Sequence, residues 1–228
     1  MADDFAGSKQ GMNAGAQAVA AVVLVSVVAG GIRAVEAAPD ASGDRGPAVC
    51  SAADQTLPPQ YVSGAGLCEA LNRPDLPALL GTPADHAETA WGGGGWITPA
   101  GSVRTAAPEG NVRLETYSVK VSASYDQLPV TRLAALLGRT AQVRTVLGHP
   151  AVLYSDRTFA IAFDGGGGKA SSGPGGIARH LVVAQDAKDG GGSYEVAIWR
   201  QDDVLPDDAA LFRVAEKVLP TIPGWTAG

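Results

Sequence analysis

Aromatic side chains are scarce, at 6% of 228 residues, and the chain has only two cysteines, three histidines and two methionines. A core made from this composition leans on Val, Leu and Ile rather than on rings, and three scattered histidines leave little for a metal centre. Long Lys/Arg runs are also missing and the formal charge is −6, which excludes a protein that grips nucleic acid through its phosphates. Apolar residues still reach 46%, enough for a packed domain and too many for wholesale disorder.

Catalytic and cofactor motifs are missing too. Gly165 to Lys169 ends in Gly-Lys, but Phe163 stands where a phosphate-binding loop needs its first glycine and Ala170 where it needs Ser or Thr. Gly173, Gly175 and Ala178 fit a dinucleotide fingerprint, yet a strand pattern follows them instead of a helix. No serine has the G-x-S-x-G flank of a nucleophile elbow. His86, His149 and His180 lack metal-ligand spacing, and Asp186 and Asp189 make only half a calcium loop, which a hairpin turn explains better. The acidic group Asp202, Asp203, Asp207 and Asp208 reads as helix capping and solvation. No cofactor, metal or nucleotide is expected.

Charge is absent from Gln10 to Ile32, a stretch rich in Ala, Val and Gly. At ~1.5 Å per residue, a helix of about 23 residues crosses the ~30 Å of a bilayer core. Residues 1–33 are therefore expected to form a cytoplasmic stub and one transmembrane helix, with the lipid bilayer as partner through residues 10–32. A cleaved signal peptide, ending near Val35, Glu36 and Ala37, is the other reading and would make the protein secreted. Gly11 and Gly15, with Ala14 and Ala18 alongside, have the small-residue spacing of a homodimerising helix. Residues 34–49 read as a polar, turn-prone linker.

The remainder, 50–225, is expected to be one extracytoplasmic domain. Cys50 and Cys68 both lie beyond the apolar segment and suit a single disulfide in an oxidising compartment. Closing a loop of about 19 residues stabilises by about 3 kcal/mol on the chain-entropy estimate. Two unpaired buried thiols are the alternative. Helices are expected near Leu67 to Asn72, at Leu76 to Leu80, after Pro129 and after Pro206, the last with Leu211, Val214, Ala215, Val218 and Leu219 on one face. Strand alternation runs from Val112 to Tyr125 with a change of parity at Glu115 and Thr116, read as a bulge. Further strands are expected at 142–147, 151–155, 158–163, 179–185 and 194–199. Gly92 to Gly95, Gly165 to Gly176 and Gly190 to Gly192 read as loops. The fold class expected is α+β: the transmembrane helix, then a two-layer domain with a curved, mainly antiparallel sheet covered by helices.

Two features point to a ligand surface. Trp91 and Trp96 flank the four glycines and present two flat surfaces, unless both rings pack over a sheet edge. His149 lies in a Leu-Gly-His-Pro turn, as a structural residue or as the base of a hydrolase with an acidic partner. The expected function is a non-catalytic binding or accessory domain at the cell envelope, facing outward and meeting an envelope protein or a small ligand. An extracytoplasmic hydrolase built on His149 is the alternative.

The path from Leu67, Cys68 and Glu69 through Leu79, Leu80 and Gly81, then Val146 to Ala151 before paired strands, then a terminal helix ending in Leu219 and Pro220, resembles a group of exported actinobacterial proteins of unknown function. These are membrane anchored and carry one cysteine pair. The resemblance implies an α/β sandwich similar to the PsbP-like fold, and it carries over no catalytic residue. Pro47, Ala48 and Val49 before Cys50 depart from a lipoprotein signal, which leaves the apolar segment as the tether.

Overall fold

The computed structural model describes residues 48–52, 57–98, 103–163 and 170–226. Eight strands form one sheet: β1 (Cys50–Ala52), β2 (Ala87–Ile97), β3 (Thr105–Leu114), β4 (Tyr117–Ser124), β5 (Gln142–Val146), β6 (His149–Phe163), β7 (Ala170–Ala184) and β8 (Ser193–Arg200). Their order across the sheet is β1-β2-β3-β4-β8-β7-β6-β5. Every pairing is antiparallel except β1 with β2, so the sheet is mixed. Among the described residues four short α-helices accompany it: α1 (Gly64–Leu71), α2 (Leu76–Leu80), α3 (Val130–Leu137) and α4 (Asp208–Val218).

This corrects the expected two-layer α+β class. The molecule is dominated by a mixed sheet with few helical residues, and no helix among the described residues is long and apolar enough to cross a membrane. Residues 10–32 themselves lie outside the described residues. The glycines account for much of the difference. Gly92 to Gly95 lie within β2, and Gly173, Gly175 and Gly176 within β7, so segments that composition marks as loops are strand backbone. Ladder hydrogen bonds need no side chain, and pairing overrides weak local propensity. The parity change at Glu115 and Thr116 is a turn between β3 and β4 rather than a bulge. The strands expected at 151–155 and 158–163 are one strand, β6, with a register shift between Arg157 and Phe159.

One face of the sheet carries the main core. Leu67 and Leu71 of α1, Leu76 and Leu80 of α2, and Leu211, Val214, Ala215 and Val218 of α4 pack on Val112, Val119, Val121, Val196, Ile198, Leu181 and Leu153. The α1 helix starts at Ser63, whose hydroxyl accepts from the Gly66 amide at 3.0 Å. It lies so close to the sheet that only glycine fits below it. A Cβ on Gly110 would fall 2.5 Å from the Cys68 nitrogen, and one on Gly92 would fall 2.0 Å from the Gly64 carbonyl oxygen. The Cys50–Cys68 disulfide, with Cα atoms 6.0 Å apart, ties α1 to β1.

The opposite face is covered at its β6/β7 end, where Val130 of α3 buries against Val152, Tyr154, Val182 and Ala184. The N-terminus of α3 is Pro129, which has no side-chain cap to offer. Asp189 supplies one from the connection between β7 and β8. Its carboxylate accepts from the Val130 amide at 2.7 Å, the Thr131 amide at 3.0 Å and the Thr131 hydroxyl at 2.7 Å. The residue read as half of a calcium loop is a helix cap borrowed from a distant turn. Asp189→Ala should lower stability by about 1 kcal/mol in chemical denaturation, within the usual range for losing a cap.

Candidate functional site

Strand register sets a row of polar side chains on the face opposite the main core. Asn111 of β3 pairs with Lys120 of β4, Lys120 with Ala197 of β8, Ala197 with His180 of β7, and His180 with Tyr154 of β6. One row along, Glu109 pairs with Ser122 and Ser122 with Glu195. Directly paired residues share a face, so these side chains emerge side by side across five strands. They are buried: Lys120 is 2% exposed, His180 3% and Glu109 4%. Ionisable groups are seldom buried so deeply without a direct partner, which makes the row the least ordinary feature of the molecule.

Half of the row is satisfied. Tyr154 donates its hydroxyl to Glu195 Oε1 at 2.9 Å, and His180 Nδ1 meets the same oxygen at 2.7 Å. The Tyr154 and His180 rings stack with centroids 4.7 Å apart. Burial pushes the Glu195 carboxyl up, but the His180 hydrogen bond, the Lys120 charge and the Tyr154 hydroxyl together bring it down to about 2, so it is ionised. Burial and the adjacent Glu195 carboxylate push the Tyr154 phenol well above its usual value, which keeps it a donor.

The other half is not satisfied. Among the described residues neither Lys120 Nζ nor Asn111 Nδ2 has a hydrogen-bond partner, although both atoms are buried. Glu109 does not pair with Lys120 either. Burial raises its carboxyl to about 7, against a smaller downward pull from the Lys120 charge. Trp91, opposite Asn111 on β2, lays its ring over Gly93, where a Cβ would come 2.2 Å from the indole Cζ3. An ammonium and an amide with unpartnered donor atoms thus lie beside a carboxyl that burial raises to about 7, with an indole nearby.

The residues singled out from sequence do not converge. Trp91 and Trp96 are an odd number of positions apart on β2, pairing with Asn111 and Ala106, and so project to opposite faces. Trp96 makes an edge contact with Tyr61 at 5.5 Å and carries the Arg104 guanidinium 4.8 Å from its ring centroid. His149 is fully buried five strands along from β2; its Nδ1 meets the Ala184 carbonyl at 2.9 Å and its ring stacks on Trp225 at 4.2 Å. Its Nε2 has no partner among the described residues, so the acidic group that a hydrolase would need is not at the ring. These contacts pack His149 between β7 and the C-terminal Trp225. His149→Ala should cost about 2 kcal/mol in denaturant unfolding, from lost burial and an orphaned carbonyl.

Other acidic groups are similarly accounted for. Asp207 caps α4 through the Ala209 amide at 3.0 Å, Asp208 forms a two-point ion pair with Arg179, and Asp202 pairs with Arg200. Among the described residues no three His, Cys, Asp or Glu side chains gather as metal ligands.

A protein-family model described as a family of unknown function, DUF6215, matches residues 9–140, more than half of the chain. The chain belongs to that family. No curated protein and no solved structure matches it. The DUF6215 match takes in the charge-free segment, both cysteines, Trp91, Glu109, Asn111 and Lys120, and ends before Tyr154, His180 and Glu195. The unsatisfied half of the row therefore lies within the matched region and the satisfied half outside it.

Proposed function

We propose that this DUF6215 chain is a non-catalytic binding domain working outside the cytoplasm at the cell envelope, with the polar row as its ligand seat. The observation that carries the binding reading is the pair of buried donors, Lys120 Nζ and Asn111 Nδ2, without a partner among the described residues. Such groups cost stability unless something accepts from them, and a ligand is the acceptor that makes their retention useful. The location is supported by the Cys50–Cys68 disulfide, which suits an oxidising compartment. It is supported as well by the charge-free residues 10–32, which suit contact with a lipid bilayer, and by the likeness to exported, anchored actinobacterial proteins.

Location is tested by fusing a reporter after Gly228 in a bacterial host. An alkaline phosphatase fusion, active only when exported, should be active, and the full chain should carry no alkylatable thiol before reduction. An active cytoplasmic reporter with both thiols alkylated would overturn the placement.

A further inference from the structure

The ligand class follows from the half of the row that is unsatisfied, and so rests on the binding reading above. We propose that the row seats a small ligand through one carboxylate group, held jointly by the Lys120 ammonium on β4 and the Asn111 amide on β3.

Position comes first. Asn111 and Lys120 are direct cross-strand partners, so their side chains leave the same face of the sheet beside each other. Both donor atoms are buried and neither meets an acceptor among the described residues. Directional competition is weak. Glu195, the nearest ionised carboxylate along the row, has the oxygen Oε1 committed to both Tyr154 and His180, and no ion pair joins it to Lys120. Glu109 likewise makes no ion pair with Lys120.

Charge selects among anions. The Lys120 ammonium has no hydrogen-bonded carboxylate partner, and with the Glu195 and Glu109 carboxyls on the same face a dianion meets more repulsion than a monoanion. Ala197, directly across from Lys120, and Ser122, between Glu109 and Glu195, are short, while Trp199, two positions along β8 from Ala197, is on the same face. Trp91, across from Asn111, gives the body of such a ligand an apolar flank. Glu109, whose carboxyl burial raises to about 7, lies one row along on the same face.

The test is calorimetric titration of the purified full chain in detergent micelles, near pH 6, with sodium acetate, sodium benzoate and inorganic phosphate at matched ionic strength. Saturable binding of a carboxylate is expected, weakened at least about ten-fold by Lys120→Met and several-fold by Asn111→Leu. Lys120→Met removes a buried charge without changing the side-chain length much and should remain folded, which its unfolding midpoint verifies. The proposal is overturned if neither carboxylate saturates, as when only water fills the row, or if both variants bind like the parent. Saturation by phosphate alone would overturn the carboxylate class and leave the binding reading standing. If a neutral small-molecule library also gives no thermal shift, the binding reading falls with it.

Discussion

Glu109→Gln is expected to make the protein more stable at neutral pH and to flatten its pH profile. Burial raises the Glu109 carboxyl from 4.5 to about 7, so between those values the folded chain holds a proton that the unfolded chain has released. Stability therefore falls as pH rises through that window and stays reduced above it; the difference between the two values corresponds to about 3 kcal/mol. Glutamine mimics the protonated acid and removes the loss. Glu195 behaves in the opposite sense. Its folded-state value of about 2 lies below the ordinary 4.5, so its contribution is complete above 4.5 and disappears as pH falls towards 2. Together the two carboxylates place the stability maximum of the parent near pH 4.5 to 5. Urea unfolding across about pH 3 to 8 tests this, the variant losing the descending limb and keeping the acid limb. An unchanged descending limb in Glu109→Gln would show that Glu109 ionises normally.

Gly110→Val should be among the most damaging single substitutions in the sheet. Its Cβ would meet backbone atoms, the Cys68 nitrogen at 2.5 Å, the Leu67 carbonyl carbon at 2.6 Å and the Cys68 Cα at 2.9 Å, with no flexible side chain to step aside. Helix α1 cannot simply lift away, because Cys68 is bonded to Cys50 and Leu67 and Leu71 are in the core. A cost above about 4 kcal/mol is expected, most of the stability of an ordinary domain. Gly173→Ala is the control. A Cβ there meets nothing within 4 Å, and the change should stay within about 0.5 kcal/mol. Comparable midpoints for the two variants in denaturant would contradict the close approach of α1.

Much of the fold was legible because it follows local rules. The α4 helix shows in Leu211, Val214, Ala215 and Val218, α2 in its Asp75 start and its left-handed Gly81 stop, and β8 in Tyr194, Val196 and Ile198. What was missed depends on pairing between distant segments. The glycine run of β2 forms a strand only because β3 ladders against it, and β1 pairs in parallel beside it. The polar row was hidden for the same reason. Ser118, Lys120 and Ser122 alternate with Tyr117, Val119 and Val121, a pattern that marks them as solvent facing. Only the pairing of β4 with β8, far along the chain, brings Glu195 beside them. The one local signal was a Lys and a Glu within otherwise apolar or small strand patterns. Trp91, Trp96 and His149 attracted notice through residue type, yet their neighbours are set by strand parity and by the C-terminal Trp225.

The row's role rests on the Lys120 ammonium being free to take an acceptor, and that group can be watched directly. In protein labelled with 15N at lysine Nζ, the Lys120 resonance, assigned by its loss in Lys120→Met, is followed through an acetate titration near pH 6. A shift that saturates, with the other lysine signals unmoved, is the result expected of a carboxylate seat. A Lys120 signal that stays in place, or moves no further than the exposed lysines, would contradict it.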